Sequence, residues 1–435
     1  MFSSYLLFIL VFWVLAFSKR SLLYPPNIIS LITVLLYLFK YSWNKTLGVS
    51  FILGINEYHI DLGFKFFTLV LGCSFLINYF WSKNSGEYVL KKYFQKKELN
   101  LKNFALVCSR FNILLLCLSI LIIWAKYNSL NINLLTVRGL YQSNGMAYFL
   151  IVLLLSINLN FIICGLFISK QQRPPLNIII ACLLSFLLSL LSGWASTILI
   201  CVGNLLLPYI FTRKLKLYVT LAVIFPVVAL YGKVHNDYRI EQSYNPYLRF
   251  SEFQSEARIK YSEEFKYVLN RFDYLEMFSS CFANPKIYDR YDYKHSLNIL
   301  LQFIPRRFWA DKPFNNSTEL SRIVIPDVVA IAGSTANFNA FSEFIFSFGI
   351  FLGAIASIII LTFILRIGIL LYHRAQADNL FLLYYIGLIF PYISNGFLAG
   401  YINDFALPNL IIGSIVFVVL YKMSLNNEKY NSRKR

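Results

Sequence analysis

Three cations crowd one short stretch of the chain, Phe303–Pro313 (FIPRRFWADKP), and their side chains suit the binding of a diphosphate. The guanidinium groups of Arg306 and Arg307 present paired donors that match phosphate oxygens, and Lys312 adds a point charge. Prolines fix the backbone at both ends of the stretch. Trp309 is suited to lie at the level of lipid headgroups or to stack on a sugar ring. On these residues alone, non-specific binding of lipid headgroups explains the stretch equally well.

A single carboxylate follows in the apolar run FSEFIFSFGIFLG, residues 341–353. A charge at this depth is costly, so Glu343 needs an interaction partner or must take up a proton. A partly buried carboxylate that faces an outer cavity can act as a general base. The alternative is an interfacial glutamate paired with an arginine of the preceding segment.

Three further arginines are candidates for binding an anionic ligand. Arg138 lies in NLLTVRGLYQSNG and Arg239 in VHNDYRIEQ, and both are expected to lean over the mouth of a helix bundle. Arg271 lies in NRFDYLEMF, where Asp273 is close enough in sequence to neutralise it. His235 and His295 lie, with Arg239 and Arg271, in the outer segment of residues 232–337. Lone histidines are more often hydrogen-bonded surface residues than catalysts.

The elements that would position these side chains are apolar helices. The chain has 435 residues, of which 58% are hydrophobic and only 14% charged. Apolar runs near the roughly 20 residues that span a bilayer recur throughout it. Eleven such runs are predicted to span the membrane: 3–18, 21–39, 64–82, 104–125, 146–168, 175–191, 194–212, 217–231, 338–363, 379–399 and 405–421.

The net charge of +19 is mainly a topology signal. Alternate short connections and the C-terminal tail hold twenty Lys/Arg and four acidic residues, which predicts that these segments are cytoplasmic. The N-terminus then lies outside and the tail inside. This placement of the charges removes the reason to expect a nucleic-acid partner, whereas the run KKYFQKK at 91–97 favours contact with anionic membrane lipids.

The predicted fold is therefore an all-α polytopic membrane protein of about eleven transmembrane helices, with a large, partly helical outer loop between spans 8 and 9. The divisions are 1–231 for spans 1–8, 232–337 for the loop, 338–421 for spans 9–11 and 422–435 for a basic cytoplasmic tail. In the loop, apolar residues at helical spacing predict a helix that Asn284-Pro285 should end. They are Tyr261, Phe265, Val268, Phe272 and Leu275.

No cofactor or metal site is predicted. The chain has no Walker A pattern, and the Asp289 and Asp292 pair is only weak support for a divalent metal. Six of the seven cysteines fall within apolar runs and none has the spacing of metal ligands, so they are interpreted as small buried hydrophobic residues.

The stretch FIPRRFWADKP resembles the large outer loop of the O-antigen polymerases, the Wzy family of oligosaccharide repeat-unit polymerases. The matching residues are Ile304, Pro305, Arg306, Trp309, Lys312 and Pro313. SEFIFSFGIFLG is similar to a second family landmark through Glu343, Phe348, Gly349 and Gly353, with Ser347 where Asn is common. One departure is LSGWASTI at 191–198, which lacks the arginine that the family often has there.

The resemblance implies a membrane glycosyltransferase in the bacterial inner membrane. Such an enzyme joins oligosaccharide units carried on undecaprenyl diphosphate at the periplasmic face, and is expected to work with a Wzz-type chain-length regulator. Glu343 and Arg306 are the predicted catalytic residues. The predicted substrate- and diphosphate-binding residues are Arg138, Arg239, Arg271, Arg307, Trp309 and Lys312.

Two other functions stay open at this point. O-antigen ligase shares the substrate and the architecture. A flippase for lipid-linked oligosaccharides belongs to another class and should line its path with polar or charged residues at membrane depth. The near absence of charge in the predicted spans favours an enzyme that works at the outer surface.

Overall fold

Helices account for nearly all of the chain that the structure describes. The structure is a computed structural model, and it describes residues 24–27, 29, 55–84, 100–127, 147–191, 195–211, 274–283, 323, 340–376, 378–390 and 407–433. In these ranges the longer helices are α1 (Glu57–Asn84), α2 (Leu101–Tyr127), α3 (Ala147–Ser169), α4 (Leu176–Leu191), α5 (Ala195–Phe211), α6 (Tyr274–Ala283), α7 (Ala340–Ala375), α8 (Asn379–Tyr384, continued by a π-helical turn, Tyr385–Ile389) and α9 (Leu407–Arg433).

Four of the described helices are long and apolar enough to cross a bilayer: α1, α2, α3 and α7. Further apolar stretches of 10–17 residues lie in α4, α5, α8 with its π-helical turn, and α9. Large apolar side chains such as Leu69, Leu121 and Phe363 are more than half exposed, which suits lipid as the surrounding solvent. In the part that the structure describes, the chain is thus an all-α, membrane-embedded protein.

Helices occupy most of the predicted spans, but two of them continue past the predicted ends. α7 extends to Ala375 through residues that were assigned to a cytoplasmic connection, and α9 extends to Arg433 through the predicted tail. In both places the chain continues with residues compatible with a helix, so the positive charges lie on helix ends. The predicted spans 3–18 and 217–231, and most of 21–39, lie outside the described residues.

The chain clusters into two compact units. The first comprises residues 1–98, 272–381 and 388–410, and its described helices include α1, α6 and α7. Ser74 donates to the carbonyl of Ile358 (3.3 Å), and Asn78, one turn later, donates to the carbonyl of Thr362 (3.2 Å), one turn further along α7. Equal steps in the same order mean that α1 and α7 lie side by side and parallel. The predicted topology likewise has spans 3 and 9 crossing in the same direction.

The second unit comprises residues 99–271, 382–387 and 411–435, and it includes α2, α3, α4 and α5. Buried polar side chains join these helices. Asn112 of α2 donates to the hydroxyl of Ser185 on α4 (2.8 Å) and accepts a hydrogen bond from Ser156 on α3 (3.0 Å). Asn204 of α5 donates to Asn158 of α3 at 3.0 Å. In an apolar solvent such hydrogen bonds hold helices together and fix their register.

Candidate functional site

A sharp break in α7 shapes the surroundings of Glu343. Gly349 has φ 77° and ψ 175°, a conformation that is available essentially to glycine alone. A Cβ atom placed on Gly353 would lie 2.9 Å from the Cα atom of Ile345. In an uninterrupted helix these two residues would be about 12 Å apart. Residues 340–348, here called the glutamate segment, therefore fold back onto the start of the long helical part that follows Gly349.

Glu343 lies in the first turn of the glutamate segment and is almost completely buried. Its exposed fraction is 1%, and all residues from Phe341 to Ser347 are buried. The prediction of a partly buried carboxylate at an outer cavity thus understates how deeply the side chain lies. The reason is that the segment folds back onto the helical part after Gly349 and also packs against α1 and α6. Glu343 also makes a hydrogen-bonding or electrostatic interaction, as a buried carboxylate requires.

Aromatic side chains hold the glutamate segment and α6 against α1. The ring of Phe341 lies 4.9 Å from that of Phe67, and the ring of Phe278 on α6 lies 4.8 Å from Phe67, both edge-on. Phe66 contacts the same two partners at 6.4 and 5.4 Å. Edge-on aromatic pairs of this kind each contribute about 0.5–1.5 kcal/mol beyond the burial of their area. The cluster therefore fixes where the glutamate segment lies on α1.

A polar contact joins α6 to the glutamate segment directly beside Glu343. The thiol of Cys281 hydrogen-bonds to Ser342, the residue before Glu343. Burial raises the pKa of Cys281 to about 12, and the hydrogen bond to Ser342 opposes part of that rise. Cys281 is thus a neutral thiol at physiological pH, and it positions the backbone that carries Glu343.

Sequence reasoning missed the part that α6 plays. It singled out Arg271 in NRFDYLEMF and ended the helical region at Asn284-Pro285, directly after the last residue of α6. It did not show that Phe278 and Cys281 contact residues some sixty positions later. No local sequence pattern predicts such a contact, although the run of small residues SSC at 279–281 in a mostly apolar helix is a signal of close helix packing.

Of the predicted site residues, Glu343 alone belongs to the part of the chain that the structure describes. The others lie outside the described residues: Arg138, Arg239, Arg271, Arg306, Arg307, Trp309 and Lys312. Within the described ranges no group of three or more His, Cys, Asp or Glu side chains is placed to hold a metal ion.

Comparison with known proteins does not assign the chain to a family. No protein-family model, no curated protein and no solved structure matches the chain. The function is therefore inferred from the residues themselves and from the arrangement around Glu343.

Proposed function

We propose that the protein polymerises oligosaccharide repeat units carried on undecaprenyl diphosphate, by glycosyl transfer at the periplasmic face of the bacterial inner membrane. The proposal starts from the likeness of FIPRRFWADKP and SEFIFSFGIFLG to the O-antigen polymerases. It includes eleven spans, an outer N-terminus, a cytoplasmic tail and a Wzz-type chain-length regulator as partner.

The observation that carries the proposal is the backbone around Glu343. Both glycines of SEFIFSFGIFLG have a structural reason to be glycine: Gly349 for its positive φ, and Gly353 for its contact with Ile345. The residues that resemble the family thus form one structural unit, a short folded-back segment that holds a buried carboxylate. A helix that only spans the membrane needs neither glycine.

Glu343 is proposed to act as the general base. Its carboxylate takes the proton from a hydroxyl on the non-reducing sugar of the incoming unit as that oxygen bonds to the anomeric carbon of the growing chain. The bond between this carbon and the diphosphate oxygen breaks, and undecaprenyl diphosphate leaves with an added negative charge. Because Glu343 is enclosed, the acceptor hydroxyl has to be admitted by a movement of the glutamate segment or of its cover.

The cations of the outer segments are proposed to stabilise the departing diphosphate. Fixed guanidinium and ammonium groups take over the charge-stabilising role that a metal ion has in other enzymes, and removal of one such group costs about a hundredfold in rate. Arg306 is assigned the leading part, together with Arg307 and Lys312. Arg271 is supported by its sequence position three residues before α6, the helix that contacts the glutamate segment.

Deletion of the gene tests the proposal and separates it from the two alternatives. The lipopolysaccharide of the deletion strain is displayed on a gel. Core that carries one repeat unit indicates a polymerase. Core without repeat units indicates a ligase when polymer is retained on the carrier lipid, and a flippase when units are trapped inside.

The described helices give no support to the flippase alternative. A flippase path needs polar groups that are available to the sugar. The amides of Asn112 and Asn204 are instead engaged in hydrogen bonds between helices. In the part of the chain that the structure describes, these polar groups fix helix packing.

A further inference from the structure

Helix α6 lies against the two residues that directly precede Glu343. Its Cys281 hydrogen-bonds to Ser342, and the ring of its Phe278 lies 6.4 Å from the ring of Phe341. Ser342 and Phe341 are fully buried, and the exposed fraction of Glu343 is 1%. A sugar hydroxyl therefore reaches the carboxylate only after one of the elements around it has moved.

The glutamate segment is held in place by its own backbone. A Cβ atom placed on Gly353 would lie 2.9 Å from the Cα atom of Ile345 and 2.9 Å from the carbonyl oxygen of Phe344, so the two parts of α7 touch backbone to backbone. They are joined at Gly349, whose positive φ sets the direction of the fold-back. Movement of the glutamate segment would break this close contact and change the conformation of Gly349 as well.

The contacts that fix α6 are made by its side chains. The rings of Phe278 and Phe282 lie 5.4 and 5.9 Å from the ring of Phe66 on α1. The bond from Cys281 to Ser342 involves a thiol, which is a weak hydrogen-bonding group. Burial ends at Phe282, which is partly exposed, so α6 reaches the surface at its C-terminal end. This ten-residue helix can leave its position without a change in the backbone of α1 or α7.

One buried group makes the closed position of α6 less stable. Ser279 has an exposed fraction of 0%, and its hydroxyl has no hydrogen-bond partner among the described residues. It lies tightly against α1, since a Cβ atom placed on Gly63 would come within 2.7 Å of its Oγ atom. The buried serines Ser109 and Ser119 instead donate to carbonyls of their own helix, at 3.0 and 2.9 Å. A buried hydroxyl without a partner favours any state in which water reaches it.

We propose that α6 is a movable cover, which opens away from α1 and the glutamate segment to admit the acceptor sugar to Glu343; this inference rests on the proposed function. The closed state is the resting state of the ligand-free protein, and the aromatic contacts with α1 stabilise it. Opening hydrates the hydroxyl of Ser279 and uncovers the glutamate segment at Ser342. In the closed state water is kept from Glu343, so the lipid-linked donor is protected from hydrolysis until the acceptor sugar arrives.

A disulfide between α6 and α1 tests whether opening is needed. The close approach of position 63 to the side chain of Ser279 suits a disulfide between cysteines at the two positions. The full-length variant Gly63→Cys with Ser279→Cys is purified and oxidised with diamide, and mass spectrometry of its peptides identifies the bond. It is then given undecaprenyl diphosphate that carries the repeat unit, extracted from the deletion strain.

The cross-linked protein should form no polymer, and the same sample should elongate chains after treatment with dithiothreitol. The reduced sample is the matched control, because the two samples have the same sequence and differ in the disulfide. The wild-type protein, treated with the two reagents in the same way, should elongate chains throughout.

Ser279→Ala is a second test, which needs no cross-link. It removes the hydroxyl that disfavours the closed state, so the melting temperature of the ligand-free protein should stay unchanged or rise. The open fraction and with it the elongation rate should fall about tenfold, a factor within the cost of one unpaired buried hydroxyl. Ser119→Ala is the matched control, because it also removes a buried hydroxyl, one bonded to its own helix, and it should elongate chains at the wild-type rate.

Polymer formed by the cross-linked protein would overturn the inference, because another element must then admit the sugar. A full elongation rate of Ser279→Ala would overturn it too, and so would a lower melting temperature of this variant, since the hydroxyl would then stabilise the closed state. If the double-cysteine variant is inactive even when reduced, the result with Ser279→Ala decides. If the wild-type protein itself forms no polymer from the lipid-linked unit, it is the proposed function that fails.

Discussion

Replacement of Gly349 by alanine should break the fold-back that holds Glu343. At φ 77° and ψ 175° a residue with a Cβ atom is strained by about 1–3 kcal/mol. Apart from the adjoining backbone of its own helix, no atom lies within 4 Å of the position that the new Cβ would take, so the cost comes from the backbone conformation and not from a collision. A cost of 1.4 kcal/mol already changes the ratio of folded-back to straightened segment tenfold.

Gly203→Ala in α5 is the matched control. A Cβ atom at this position also meets nothing within 4 Å, but no positive φ is found at Gly203. Alanine in a helix interior is about 0.5–1 kcal/mol more stable than glycine. The two variants thus add the same methyl group in open space, and opposite changes in stability are expected.

The assay is thermal unfolding of the purified variants in one detergent, combined with the polysaccharide ladder that each restores in the deletion strain. Gly349→Ala should melt several degrees lower and give short chains, whereas Gly203→Ala should melt at the wild-type temperature or above and give a normal ladder. If Gly349→Ala matches Gly203→Ala in both assays, the fold-back does not hold Glu343 in place.

Three other expectations concern the packing, the chemistry and the topology. Asn112→Leu removes two hydrogen bonds between helices and should lower stability by about 1–2 kcal/mol, seen as a lower melting temperature; an unchanged melting temperature would mean that the buried amide does not stabilise the bundle. Because burial raises the pKa of Cys281 to about 12, its thiol should resist N-ethylmaleimide at pH 8 until the protein is unfolded. Between pH 9.0, the ordinary pKa of a cysteine, and pH 12 the folded protein keeps a proton that the unfolded chain releases, so the contribution of Cys281 to stability falls as the pH rises through this range. Rapid labelling of Cys281 at pH 8 would contradict its burial. Ser317→Cys in the large loop should react with a membrane-impermeant maleimide in intact spheroplasts and Ser432→Cys in the tail should not, and the reverse pattern would invert the predicted topology.

In the described ranges the apolar runs predicted where helices form, because lipid-exposed helices need continuous apolar runs. The neighbouring runs 175–191 and 194–212 were correctly predicted as two helices, and α4 and α5 occupy them. The run 338–363 was predicted as a single span. An apolar run does not reveal that Gly349 adopts a positive φ, since glycine is also common in straight transmembrane helices.

The site was only partly predictable for a related reason. A lone carboxylate in an apolar run identified Glu343, since charge at membrane depth is costly. Its neighbours could not be inferred, because the contacts of Phe66 and Cys281 with the glutamate segment join parts of the chain that are far apart in sequence.

The most direct test of the account is Glu343→Gln expressed in the deletion strain, with Asp378→Asn as the control. Glutamine keeps the shape of the side chain but cannot take up a proton from a sugar hydroxyl. Asp378 caps the following helix through the backbone N–H of Leu380 (2.8 Å), and asparagine keeps that cap. With both proteins at wild-type levels in the membrane, Asp378→Asn should restore the full polysaccharide ladder and Glu343→Gln should leave core with a single repeat unit. A full ladder with Glu343→Gln would contradict the assignment of Glu343 as the base.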